Sequence, residues 1–118
     1  MKRGIPEAGD VFTIDASPTK GREIAARHRF IVISPWEINR LGVSTAVPVT
    51  TVGKVPRDFG LGVAIMGHDT TGVAICNQMR SFDIQARTKD GSAKYVEQID
   101  RTALEEIIDR VVSVFDPQ

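Results

Sequence analysis

Apolar residues fall in short runs along most of the chain, separated by glycine, proline and charged residues. Such runs, bounded by turn formers, predict buried or half-buried strands. Residues 11–14 form the first, opened by Gly9-Asp10, and residues 30–33 form the second. The ~14-residue polar connection between them contains Pro18 and Gly21. That length exceeds an ordinary loop, and long loops in compact domains often carry function. Ser34-Pro35-Trp36-Glu37 predicts a helix start, with Ser34 as cap, Pro35 at the first helical position and Glu37 completing a capping box; Gly42 ends it after about two turns.

Residues 46–51 predict the next strand, in which Pro48 points to a sheet edge, a strand start or a bulge. Residues 51–60, with Gly53, Pro56 and Gly60, form a second loop carrying Lys54 and Arg57. Residues 61–66 and 73–76 predict strands around the turn His68-Asp69-Thr70-Thr71-Gly72. Further strands are predicted over 80–84 and, after the turn signal Asp90-Gly91, over 95–99. Then the period changes. Leu104, Ile107, Ile108, Val111 and Phe115 share one face of a helix, capped by Asp100 or Thr102. The expected fold is a single domain over 1–118, mostly antiparallel β, a barrel or curled sheet with a short inserted helix and a C-terminal helix.

A chain of 118 residues, 42% apolar, builds one core and is no disordered segment. The lone Cys76 excludes an internal disulfide, no apolar run reaches membrane-spanning length, and the N-terminal residues lack a signal-peptide pattern. These features lead us to expect a cytoplasmic protein without membrane contact. Net charge is zero but unevenly spread: residues 1–60 carry nine Lys and Arg against six Asp and Glu, and residues 61–118 the reverse, six against nine. Lys20, Arg22, Arg27 and Arg29 concentrate the excess, offset nearby by Glu23. A stretch like this suits phosphate, although on charge alone a solvated loop is the plainer reading.

The two histidines, one cysteine and scattered carboxylates lack the spacing of a metal site, and no phosphate-binding glycine loop or nucleophile elbow is present. We therefore expect no metal and no cofactor. Catalysis would fall to acid, base and cationic side chains. RNA is the polymer that can be cut in this way, because its own 2′-hydroxyl attacks phosphorus. Arg22-Glu23 and Arg27-His28-Arg29 bracket one loop end and are suitable groups. Read without further context, Arg22-Glu23 is an exposed ion pair and His28 a strand-end residue.

The stretch Gly9-Asp10-Val11-Phe12, Asp15 to Pro18 and Lys20-Gly21-Arg22-Glu23 resembles the opening of the MazF/PemK/Kid family of ribonuclease toxins. Phe30-Ile31-Val32-Ile33-Ser34, Asn39-Arg40, Val47-Pro48-Val49-Thr50 and the run from Thr71 to Asp83 extend the resemblance in order and spacing. It implies an SH3-like β-barrel, a homodimer, sequence-selective cleavage of single-stranded RNA, and neutralisation by a cognate antitoxin, for which we expect an acidic disordered segment. Glu23 matches the family's acidic residue in the first loop, and Arg22 stands where the PemK branch has histidine. Thr50 matches a phosphate-contacting threonine, and Thr71 one associated with RNA binding. The catalytic arginine and aspartate of the Kid-like branch correspond to Ile75 and Asn77, and the usual Arg-Pro of the second strand to His28-Arg29. Catalysis is thus expected from Arg22, Glu23, His28, Thr50 and Asn77, with RNA held by Lys20, Arg27, Arg29, Thr51, Thr71, Gln78 and Arg80. The same barrel also occurs in CcdB-like toxins, which bind DNA gyrase without cutting nucleic acid; a noncatalytic binder is the alternative reading.

Overall fold

The computed structural model describes residues 4–16, 20–21, 27–50 and 61–116. In chain order the elements are β1 (Asp10–Asp15), β2 (Arg27–Val32), α1 (Trp36–Asn39), β3 (Ser44–Thr50), β4 (Gly62–Met66), β5 (Thr71–Ile75), β6 (Arg80–Phe82), α2 (Ile84–Lys89), β7 (Ala93–Gln98) and α3 (Arg101–Phe115). The seven strands form one sheet in the order β4-β5-β3-β2-β1-β7, with β6 pairing β3 beside β5. The pairings among the described residues are antiparallel.

The apolar runs are explained by burial on both faces of the central strands. Partners across a ladder share a face, and neighbours along a strand alternate. Val11 opposes Ile31, which opposes Val47; these join a core with Val63, Ile65, Ala74, Ile99 and Ile107. Phe12 opposes Phe30 on the other face, where Ile14, Val32, Ala46, Phe82 and Ile84 complete a second core. The helix α3 covers the first face through Leu104, Ile107 and Val111. Its apolar stripe ends before Phe115, which stays exposed with Val112 and Val114.

The sheet curls. β4 and β7 lie at opposite ends of the strand order, yet the carboxylate of Glu97 in β7 accepts hydrogen bonds from the backbone N–H groups of His68 and Asp69, just past β4, at 2.9 and 2.8 Å. Strand ends far apart in a flat sheet are thus neighbours, as in a barrel, although no β4–β7 ladder closes it among the described residues.

Four local expectations need correction. The helix α1 has Pro35 as its N-cap, with no side-chain cap bond. Ser34 Oγ instead donates to Asn39 Oδ1 at 2.5 Å and accepts from the Thr45 N–H at 2.9 Å. Buried Asn39 donates onward to the carbonyls of Pro6 and Ser34, so this cluster staples three segments and replaces the capping box. Pro48 sits inside a central strand, where β3 passes from its β6 partner (Ser44 to Ala46) to its β5 partner (Val49 and Thr50). No ladder hydrogen bond is asked of it on that side. The strand expected over 80–84 ends at Phe82; Asp83 then caps α2, accepting from the Ala86 N–H at 3.0 Å. Finally, β2 starts at Arg27, which pairs with Asp15, so His28 and Arg29 are strand residues. Asp100 is the cap of α3, accepting from the Ala103 N–H at 2.8 Å.

Candidate active site

The first three residues of β2 sit where the strand emerges beyond the core. Arg27 is exposed, His28 and Arg29 are half-buried, and Phe30 begins the buried part. A cavity of about 590 Å³ opens there, lined by Arg27, His28 and Arg29, by Thr13 and Val49 of the flanking strands, and by Asp69, Thr70 and Thr71 of the β4–β5 turn. Two guanidinium groups and an imidazole against one carboxylate make this end of the sheet receptive to an anion.

The His28 ring is oriented by its backbone neighbour: Nδ1 lies 2.9 Å from the Val49 carbonyl oxygen. A carbonyl only accepts, so Nδ1 carries the hydrogen, and in the neutral ring Nε2 is the acceptor. Arg29 is committed differently. Its Nη1 donates to the Asp69 carbonyl and to Thr70 Oγ1, the latter at 3.0 Å, and so ties β2 to the turn.

Thr50 ends β3 and pairs with Val73. The backbones approach so closely there that a Cβ on Gly72 would lie 2.4 Å from the Thr50 carbonyl oxygen, and Gly72 has φ of +154°. Asn77 and Gln78 lie at the far end of β5 from Thr71, beyond Ile75, which pairs with Gly62 while Thr71 pairs with Met66. Four strand intervals, about 13 Å, separate Thr71 from Ile75. Asn77 is exposed, and Ile75 and Cys76 are buried. Burial pushes the Cys76 thiol up to about 11, against partial relief from Arg110.

Arg80 is held within the protein. Its Nη1 donates to the Ala16 carbonyl at 3.1 Å, while Arg87 Nη1 donates to the Asp15 carbonyl at 2.8 Å. Both guanidinium groups lie against the Phe82 ring, at 5.3 and 5.1 Å from its centroid. Together they pin the exit of β1, from which the first long connection departs.

The structure thus gathers Arg27, His28, Arg29 and Thr71 in one cavity and sets Asn77, Gln78 and Arg80 apart from it. Lys20 is exposed. Arg22, Glu23 and Thr51 lie outside the described residues. Sequence reading missed Thr13, Asp69, Thr70 and Glu97; the only signal for the turn residues was a polar hairpin carrying no catalytic motif. No group of three or more His, Cys, Asp or Glu residues among those described is arranged to hold a metal ion. No described helix is long and apolar enough to cross a membrane.

A curled antiparallel sheet covered by a terminal helix, with a basic cavity at one end, defines a small barrel-type fold. Residues 7–115 match the family described as PemK-like, MazF-like toxin of type II toxin–antitoxin system. The chain is 30% identical to the endoribonuclease PemK of Escherichia coli over 111 residues, covering 92% of this chain and 80% of that protein. It is 35% identical to the endoribonuclease toxin MazF of Escherichia coli strain K12 over 95 residues, covering 78% and 83%. Its fold superposes on the crystal structure of MazF from Deinococcus radiodurans with a TM-score of 0.79 at 25% identity, covering 95% and 97% of the two chains. The chain belongs to the PemK-like, MazF-like family of toxins of type II toxin–antitoxin systems, the family of these endoribonucleases.

Proposed function

We propose that the chain cuts single-stranded RNA at the β2 cavity, without a metal ion, by attack of the ribose 2′-hydroxyl on the adjacent phosphorus. The 2′-oxygen–phosphorus bond forms and the bond from phosphorus to the 5′-oxygen breaks. The 2′-hydroxyl proton goes to a base, and the departing 5′-oxygen takes up a proton. The products are a 2′,3′-cyclic phosphate upstream and a 5′-hydroxyl downstream.

The observation that carries this reading is the fixed His28 ring, lining a cavity with Arg27 and Arg29 in a chain of this family. Glu23 serves as base and Arg22 stabilises the phosphorane, as the family pattern suggests for the first loop. In its protonated form, where both ring nitrogens carry hydrogen, His28 donates from Nε2, either to the leaving oxygen or to the phosphate. Arg29 contributes charge to the wall, because its Nη1 is committed to the turn. Arg27, Thr71 and Lys20 guide the RNA backbone, and Thr50 and Thr51 position the scissile phosphate. Asn77, Gln78 and Arg80 belong to the same reading only at its margin: Arg80 serves by anchoring β1, and Asn77 and Gln78 by meeting RNA that runs past the cavity.

The reading includes a homodimer, which lengthens the groove available to the RNA, and a cognate antitoxin. A MazE–MazF complex from Deinococcus radiodurans shares the fold with a TM-score of 0.72 at 22% identity and motivates the second element. An acidic, disordered antitoxin segment that folds on binding would mask Arg22, Arg27 and Arg29.

The test is incubation of the purified protein with a long unstructured RNA in EDTA. Discrete fragments with 5′-hydroxyl ends are expected, and a 2′-deoxyribose at the scissile position should block the cut. Intact RNA would overturn the proposal in favour of a noncatalytic binder.

A further inference from the structure

The turn joining β4 to β5 is four residues long, polar, and attached to an edge hairpin. A turn of this kind is ordinarily among the loosest parts of a sheet. Here it is gripped from two sides. From β7, Glu97 receives the His68 N–H on Oε1 and the Asp69 N–H on Oε2, at 2.9 and 2.8 Å. The Thr70 hydroxyl also bonds to this carboxylate. From β2, Arg29 Nη1 donates to the Asp69 carbonyl and, at 3.0 Å, to Thr70 Oγ1. The Thr70 hydroxyl therefore lies between a guanidinium and a carboxylate, in a residue only 1% exposed. Gly67 makes room for the grip: a Cβ there would lie 2.8 Å from Glu97 Oε1.

We propose that Glu97 is a positioning residue for RNA binding: together with Arg29 it holds the 67–70 turn rigid, and so fixes the Thr70–Thr71 wall of the cavity. The inference rests on the reading of that cavity as the RNA site. Glu97 does not itself line the cavity; it acts through the backbone of Asp69 and Thr70, which do. The arrangement places the constraint on binding more than on chemistry, because the wall is shaped before any bond to phosphorus changes. Without the carboxylate, the His68 and Asp69 amides lose their acceptor, and Arg29 retains only half of its frame.

The experiment compares wild type with Glu97→Gln and, independently, with Gly67→Ala, whose methyl group expels the carboxylate. Three quantities are read: steady-state cleavage of a short fluorescent RNA, titration with the same oligonucleotide carrying 2′-deoxyribose at the scissile position, and exchange of the His68 and Asp69 amide hydrogens. Losing a hydrogen bond to a charged group corresponds to about tenfold in an equilibrium constant. Both variants should raise KM and the Kd of the 2′-deoxy oligonucleotide by about tenfold, leave kcat within about twofold, and speed amide exchange by at least about tenfold. A purely structural role would lower the active fraction and the thermal midpoint without changing KM or Kd, and that result overturns the proposal. So does faster amide exchange with unchanged Kd, or wild-type amides that exchange at the rate of a free turn. If wild type binds the oligonucleotide and the variants bind it about tenfold less well, but no RNA is cut, the cleavage reading fails while the role of Glu97 stands.

Discussion

The imidazole of His28 is fixed to the backbone of the neighbouring strand, with Nδ1 2.9 Å from the Val49 carbonyl oxygen. A strand-end histidine with no such anchor would sample several rotamers, whereas this ring has one tautomer and one remaining polar edge. Removing a general acid or base costs about 10²–10⁴ in rate. His28→Ala should therefore cut cleavage by at least about 10² and change the shape of the pH–rate profile. His28→Asn, which can donate to the Val49 carbonyl but cannot transfer a proton, should not restore it. A rate loss that is uniform across pH would assign His28 to positioning instead.

The same reasoning separates the first loop from the end of β5. Arg22→Ala should cost about 10²–10³ and Glu23→Ala about 10²–10⁴ in cleavage rate, with both proteins folded by circular dichroism. Asn77→Ala should cost less, since Asn77 is not among the residues lining the cavity. Full activity in both loop variants would remove the loop from the catalytic centre and favour the binder.

Much of the architecture was legible in the sequence because burial leaves a pattern. The runs at 11–14 and 30–33 appear as β1 and β2, and the helical spacing from Leu104 to Val111 appears as α3. The failures share one cause, which is that tertiary partners are invisible in a local window. Ser34 reads as a cap, yet Asn39 and Thr45 claim its hydroxyl. Arg80 reads as an RNA-binding residue, and its contacts with the Ala16 carbonyl and the Phe82 ring were equally invisible. For the site, the basic residues of β2 were legible as charge and 68–72 as a turn, but the placing of that turn beside β2 was not. Glu97 and Asp69 are 28 residues apart in sequence, and only the curl of the sheet brings them together.

Gly72 offers a test of the β3–β5 approach beside Thr50. A methyl group at Gly72 would lie 2.4 Å from the Thr50 carbonyl oxygen, a backbone atom with little freedom to retreat. Overpacking of this sort costs about 1–3 kcal/mol. Gly72→Ala should lower stability by that amount in urea titration, while Gly91→Ala, which meets open space, should cost only what its φ of +84° imposes. Equal stability of wild type and Gly72→Ala would show that the strands part easily.

Cys76 should be chemically quiet. The thiol is buried, and its pKa of about 11 leaves almost no thiolate at neutral pH. Native protein at pH 8 should react with Ellman's reagent far more slowly than the urea-unfolded chain. Fast labelling of the native state would show that the β5 end of the core opens readily.

Acid should loosen the turn before it unfolds the sheet. Burial alone would raise the Glu97 carboxyl, but hydrogen bonds from the Thr70 hydroxyl and from the Asp69, His68 and Thr70 amides outweigh it and hold the group below 4.5. A carboxyl held low in the folded state contributes stability that is present above its unfolded value and lost as pH falls through its folded one. Asp10 opposes this. Its burial raises it above 3.8 despite hydrogen bonds from the Glu7 N–H and the Gln98 side chain. Protonating Asp10 therefore favours the folded state as pH falls. The two groups act in the same acid window with opposite signs, so wild-type stability alone is a poor reporter. The difference between wild type and Glu97→Gln isolates the turn. That difference should be largest above pH 5, where Glu97 is ionised in both states. It should shrink steadily on acidification below 4.5, as the carboxylate of the folded protein is lost. Amide exchange at His68 and Asp69, corrected for the intrinsic pH dependence, should report the same loss locally. A stability gap between the two proteins that stays constant from pH 6 to pH 3 would mean that the charge of Glu97 adds nothing to the turn.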